Sequence, residues 1–150
     1  MNLQISTLFS LQDDSGQTFI AKDHLPLIIY FYPKDDTPGC TVEALDFSNL
    51  ASSFSRLGYT VVGVSRDSID SHQKFKRKHN LNLILLSDID SDVCKEYRVI
   101  KPKKIYGKEV MGIERSTFVL NSVGDIIHEY RKVRAAGHAE TVLQDLLKNL

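Results

Sequence analysis

The sequence predicts a layered α/β domain, and three observations carry that prediction. Strand-like and helix-like segments alternate along the chain, with no internal repeat or low-complexity stretch. One strand-like segment, Leu27-Ile28-Ile29-Tyr30-Phe31-Tyr32, is an unbroken run of apolar and aromatic β-formers. Such a run suits a strand covered on both faces, as in a sheet with helices on either side. The chain has 150 residues, enough for one domain that buries roughly two-thirds of its unfolded surface without disulfide staples.

Each element has its own signal. Residues 9–12 and 18–20 flank the turn-forming Asp13-Asp14-Ser15-Gly16 and predict an N-terminal hairpin. Pro33 ends the strand at 27–32. Thr37 is a candidate N-cap, and Pro38 has the fixed φ of a first helical turn. Phe47, Leu50, Ala51 and Phe54 then follow the i, i+3, i+4, i+7 spacing of one buried helix face, with Gly58 as the stop. Strands are expected at 59–64 and 83–86, with a helix over 68–79 between them. Residues 117–120 and 126–130 flank Asn121-Ser122-Val123-Gly124 and read as a second hairpin. Leu143, Leu146, Leu147 and Leu150 mark a closing amphipathic helix.

Composition excludes several classes of function. Nineteen basic and nineteen acidic side chains cancel, so no global field draws the chain to nucleic acid or an anionic membrane. No run approaches membrane-spanning length, and Met1 to Ser6 lacks the basic flank and apolar core of a secretory signal, which predicts a cytoplasmic protein. Two cysteines are too few for a disulfide scaffold and fit a reducing compartment. Lys101-Pro102-Lys103-Lys104 reads as a solvated loop, and Lys74-Phe75-Lys76-Arg77-Lys78 as a solvated helix face. None of the five histidines is expected to have a ligand-like neighbour, and His138, at a helix start, reads as structural. Asp88-x-Asp90-x-Asp92 opens like a calcium loop, but valines occupy its glycine and glutamate positions. No metal site is expected.

The chemistry points to Cys40. A thiol is a nucleophile only as thiolate, and a helix N-terminus, with its unpaired N–H groups, favours the anion. Cys40 sits at such a strand-turn-helix junction, in Pro33-Lys34-Asp35-Asp36-Thr37-Pro38-Gly39-Cys40-Thr41-Val42-Glu43-Ala44. In isolation a cysteine reads as a small buried hydrophobe, Arg115 as a surface cation and Glu43 as a first-turn acid. A cysteine phosphatase would need an arginine where Asp46 stands, and a thioredoxin-type oxidoreductase a second cysteine where Glu43 stands.

Pro33-x3-Thr37-x2-Cys40 resembles the peroxiredoxin signature, and Thr37 to Ala44 is close to the form found in the bacterioferritin comigratory protein, or peroxiredoxin Q, branch. The likeness extends through Val62-Gly63-Val64-Ser65-Arg66-Asp67, Leu85-Leu86-Ser87-Asp88 and Arg115-Ser116-Thr117-Phe118-Val119-Leu120, the last matching the family's arginine-bearing strand. It implies a thioredoxin fold: a central mixed sheet flanked by helices, with an added N-terminal hairpin. It also implies a thiol peroxidase in which Cys40 attacks hydrogen peroxide or an organic hydroperoxide and becomes a sulfenic acid. Full ionisation of a thiol gains only roughly thirty-fold at neutral pH, so most of the acceleration must come from fixed donors acting as the O–O bond breaks. By resemblance these are the Thr37 hydroxyl, the N–H groups of Gly39 and Cys40, and the Arg115 guanidinium, with Pro33 shielding the sulfur. Glu43 stands between that first-turn role and orienting Arg115.

The resemblance implies no metal or organic cofactor. It implies thioredoxin, glutaredoxin or glutathione as reductant and a monomer, with a dimer as the alternative. The chain departs from the family at residues 3–7, which lack the usual Gly-Asp-x-Ala-Pro lead, and at Leu45, where many members carry a resolving cysteine. Cys94 matches neither resolving position common in the branch and reads as an inert cysteine on a short helix. A one-cysteine mechanism is therefore expected. The alternatives are an atypical two-cysteine enzyme using Cys94 and a non-enzymatic holdase or interaction protein.

Overall fold

A computed structural model describes residues 8–149, and the strands and helices alternate in it as the sequence predicts. β1 (Ser10–Asp13) and β2 (Thr18–Ile20) form the N-terminal hairpin. Its turn is tied by Asp13 Oδ1, which accepts from the backbone N–H groups of Ser15 and Gln17. β3 (Leu27–Phe31) follows and is buried at all five positions. α1 (Pro38–Asn49) and α2 (Ala51–Arg56) lead to β4 (Thr60–Ser65), then α3 (Ile69–His79), β5 (Ile84–Ser87) and the short α4 (Asp92–Glu96). β6 (Ile100–Ile105), β7 (Lys108–Ile113), β8 (Ser116–Leu120), β9 (Ile126–Tyr130) and α5 (His138–Lys148) complete the chain.

One mixed sheet carries seven strands in the order β2-β1-β5-β4-β3-β8-β9. β3, β4 and β5 run parallel in its centre, while β8 pairs antiparallel with β3 and β1 antiparallel with β5. Side chains alternate along β3, so the sheet has two cores. Ile28 and Tyr30 face one, with Phe47 of α1, Phe54 of α2, Phe75 of α3 and Val142 of α5. Leu27, Ile29 and Phe31 face the other, with Phe19, Val93, Tyr97 and Phe118. This is the expected central mixed sheet flanked by helices, with its added hairpin.

Three local expectations are corrected. The helix predicted to run from Pro38 past Phe54 is broken at Leu50, whose ψ of 3° leaves the helical region and whose N–H is shared between the carbonyls of Asp46 and Phe47, both at 3.2 Å. The apolar face survives the break, with Phe47 and Phe54 buried. Lys101-Pro102-Lys103-Lys104 is strand, not loop: β6 pairs with β7 in a separate two-stranded sheet, turning at Tyr106 and Gly107, which both have positive φ. Most of the hairpin is solvated, so its composition carries no alternation for periodicity to detect. On α5, Leu143 and Leu146 are buried but Leu147 is exposed, because Ala139 and Val142 complete the inner face instead. Residues 1–7 and Leu150 lie outside the described residues. Among the described residues no helix is long and apolar enough to cross a membrane.

Candidate active site

Cys40 is the third residue of α1, after Pro38 and Gly39. The first helical hydrogen bond runs from the Thr41 N–H to the Thr37 carbonyl at 2.8 Å. The N–H groups of Gly39 and Cys40 therefore precede the helical ladder and have no backbone acceptor among the described residues. Thr37 occupies the N-cap position with an extended backbone, but its hydroxyl donates to the Lys34 carbonyl at 2.9 Å and does not cap the helix. That corrects the expected side-chain cap. The hydroxyl braces the turn between β3 and α1, which leaves the Thr37 oxygen free to accept.

Arg115 lies between β7 and β8, immediately before a strand buried at every position, so its backbone is fixed while its side chain reaches across to α1. Its Nη2 donates to Cys40 Sγ at 3.5 Å, and its Nη1 to Glu43 Oε1 at 2.7 Å. Gly39 permits this approach, since a Cβ there would stand 3.1 Å from Arg115 Nη2. Glu43 follows Cys40 at i+3 on the same helix face and is fully buried. Of the two sequence readings of Glu43, the contact with Arg115 is the one the geometry contains. Burial pushes the Glu43 carboxyl up to about 7 against the opposing pull of Arg115. Its Oε2 has no hydrogen-bond partner among the described residues. Burial works against the charge on Arg115, but Glu43 and Cys40 together outweigh it and raise its pKa further.

The fold thus gathers Cys40, Gly39, Glu43 and Arg115. Pro33 and Thr37 lie on the turn between β3 and α1, both half-buried. Cys94 is elsewhere. It is fully buried on α4 within the second core, on the opposite side of the sheet from Cys40. Burial, reinforced by Asp88, pushes its thiol far up. Asp88, the first residue of the calcium-loop-like stretch, accepts from the backbone N–H groups of Val93 and Cys94 and so holds the start of α4.

Sequence reasoning missed a polar network under the turn before Cys40. Asp35 is buried and accepts from the Tyr32 hydroxyl at 2.6 Å and the Ser71 hydroxyl at 2.8 Å. His72, with no exposed surface, places Nδ1 2.7 Å from Asp35 Oδ2 and Nε2 2.9 Å from the Leu86 carbonyl. Asp67 Oδ2 accepts from the Asp35 N–H and the Ser65 hydroxyl. The expectation that no histidine has ligand-like neighbours is therefore corrected: oxygens of Asp35 and Asp67 and a ring nitrogen of His72 lie within 4.8 Å of one another. Each is already engaged in hydrogen bonds, so the cluster is self-contained. The available signal was His72 three residues before Phe75, on the buried stripe of α3.

The chain is similar to known proteins along most of its length. The family model described as AhpC/TSA matches residues 4–129. Peroxiredoxin Bcp of Xanthomonas campestris pv. campestris is 52% identical over 120 residues, covering 80% of this chain and 75% of that protein. Peroxiredoxin Bcp of Bacillus subtilis is 46% identical over 91% of this chain and 88% of its own length. A solved structure of the Xanthomonas campestris bacterioferritin comigratory protein, from work on its alkyl peroxide reduction activity, superposes with a TM-score of 0.90. That pair is 43% identical, and the match covers 99% of this chain and 97% of the other. The shared architecture is the thioredoxin fold.

Proposed function

The chain belongs to the AhpC/TSA family, in its bacterioferritin comigratory protein branch, and as a member of that branch is a thiol peroxidase; from this we propose that Cys40 is its peroxidatic residue and that it works by a one-cysteine mechanism. The observation that carries the proposal is the Arg115 guanidinium in contact with both Cys40 Sγ, in the first turn of α1, and Glu43, three residues further along the helix.

The Cys40 thiolate attacks the nearer oxygen of hydrogen peroxide or an organic hydroperoxide. An S–O bond forms as the O–O bond breaks, sulfur is oxidised to the sulfenic level, and the leaving oxygen takes up a proton to depart as water or alcohol. Negative charge moves from sulfur to that oxygen. Arg115, fixed by Glu43, follows it with a rigid fork of donors, and the N–H groups of Gly39 and Cys40 add two more. Thr37 can accept from the peroxide hydroxyl, which orients it, and Pro33 keeps bulk water from the sulfur. Such pre-set donors contribute about 3–4 kcal/mol each where they meet developing charge.

A thiol then attacks the sulfenic acid, releasing water and leaving a mixed disulfide, which a second thiol reduces. Thioredoxin, glutaredoxin or glutathione would supply the electrons, in keeping with a cytoplasmic, monomeric enzyme. Cys40 is only 1% exposed, so the first turn of α1 must loosen before a protein thiol can reach it. Cys94, on the far side of the sheet, cannot bring its Cα within the ~7 Å a disulfide needs without dismantling a core. The test is peroxide consumption with excess dithiothreitol. Cys40→Ser should lose turnover with its circular dichroism unchanged, and Cys94→Ser should keep it. A folded Cys40→Ser protein that still turns over would sink the assignment.

A further inference from the structure

Beside the thiol site lies a cavity of about 270 Å³ that shares Arg115 with it. Lys101 and Lys103 of β6, Arg115 and Lys132 contribute cations to its lining, against the single carboxylate of Glu114. In a chain whose charges cancel overall, that is a local concentration. Glu43 engages Arg115, but Lys101, Lys103 and Lys132 make no ion pair among the described residues. Lys103 is also held in place. Its Nζ donates to the Ile113 carbonyl at 2.6 Å, and its stem lies over Gly112, where a Cβ would meet Lys103 Cδ at 2.9 Å. Burial and the charge of Arg115 hold Lys103 below the usual lysine range, while Cys40 acts on it in the opposite sense. A fixed cation in an underneutralised cavity is preorganised for an anion, because little side-chain freedom remains to be lost.

Building on the peroxidatic reading of Cys40, we propose that this cavity is a subsite for the carboxylate of an acidic organic hydroperoxide whose peroxide group reaches Cys40 past Arg115. Its volume lies just under the ~300–1,000 Å³ range of pockets for drug-sized ligands, so it admits a short acid and not a whole lipid. The peroxide is the reactant that meets the site in this conformation, with the sulfur buried beside Arg115. A reducing thiol arrives later, after the first turn of α1 has opened.

Single-turnover oxidation of Cys40 by monoperoxysuccinate and by peracetate tests the proposal, each rate constant divided by that for free cysteine with the same peracid. The expected normalised advantage of the carboxylated peracid is roughly tenfold or more at low ionic strength. It should shrink with added salt and fall toward unity in the double variant Lys101→Gln, Lys132→Asn. Because the readout is a ratio, a general effect of the substitutions on reactivity cancels. No advantage in the wild type, or one that the double variant retains, overturns the subsite. So does a charge preference confined to reduction of the sulfenic acid, seen as faster reaction with thioglycolate than with mercaptoethanol, since the cavity would then serve the thiol. Failure of either peracid to oxidise Cys40 would instead remove the peroxidatic reading, so the two failures are told apart.

Discussion

At the scale of single residues, the site depends on one guanidinium doing two tasks at once. Arg115 uses Nη1 to hold Glu43 and Nη2 to face the sulfur, and only a planar fork with several donors can do both. Arg115→Lys keeps the charge but loses the fork. The second-order rate of Cys40 oxidation should fall by roughly tenfold or more, and further in Arg115→Met. Stopped-flow rates equal to wild type in both variants would make Arg115 structural. The residue types were legible in the sequence because the Thr37 to Ala44 motif places them, and Glu43 at i+3 from Cys40 must share its helix face. Between a first-turn role and a contact with Arg115 the sequence left Glu43 undecided, since Arg115 lies far along the chain, just before β8, and only the closed sheet brings it over α1. Nor could the motif say where the Thr37 hydroxyl points. A side chain with two local options, cap or turn brace, is decided by the loop geometry around it.

Among elements, two buried histidines tie helices to the sheet. His72 joins α3 to the turn before Cys40 and to β5, with one ring nitrogen on the Asp35 carboxylate and the other on the Leu86 carbonyl. His72→Phe leaves Asp35 buried with one partner fewer and the Leu86 carbonyl without its donor. The expected cost is about 1–3 kcal/mol, the range for leaving a buried polar group with an unmet hydrogen bond. Urea unfolding with an unchanged midpoint would refute the network's structural role. His138 at the start of α5 places Nε2 2.7 Å from Thr117 Oγ1 of β8 and stacks edge-on with Phe47 and Tyr130. Burial first, and the charge of Arg115 second, push its pKa down from 6.5 to about 4. The fold therefore holds the ring neutral. Its contribution to stability is full above pH 6.5 and is lost as the pH falls through 4, because the unfolded chain takes up the proton first. Between pH 7 and pH 4 wild type should lose on the order of 3 kcal/mol more stability than His138→Gln. Parallel stability–pH curves for the two proteins would contradict this.

The elements themselves were legible to different degrees for physical reasons. β3 announced itself because burial on both faces demands an unbroken apolar run. The hairpin of β6 and β7 did not, because it stands apart from the main sheet with most of its side chains in water. The break at Leu50 was equally hidden, since both sides of it keep the same apolar face.

For the whole molecule, the decisive fact is that one sheet separates two cores and gives each its own cysteine. The sequence supplied the alternation from which a layered α/β domain follows, and the absence of a cysteine at Leu45. It could not say on which face of the sheet Cys94 would lie, because α4 is too short to show a periodic face and its orientation is set by Asp88 at its N-terminus. With Cys94 sealed in the second core, the proposed one-cysteine mechanism leaves an oxidised Cys40 without an internal partner. The most direct test is intact-mass analysis of the wild-type protein after one equivalent of hydrogen peroxide, followed by peptide mapping with a sulfenic-acid trap. The account predicts a gain of one oxygen atom located on the Cys40 peptide, with Cys94 still a free thiol. Rapid loss of two hydrogens instead, with the Cys40 and Cys94 peptides joined by an intramolecular disulfide, would contradict it.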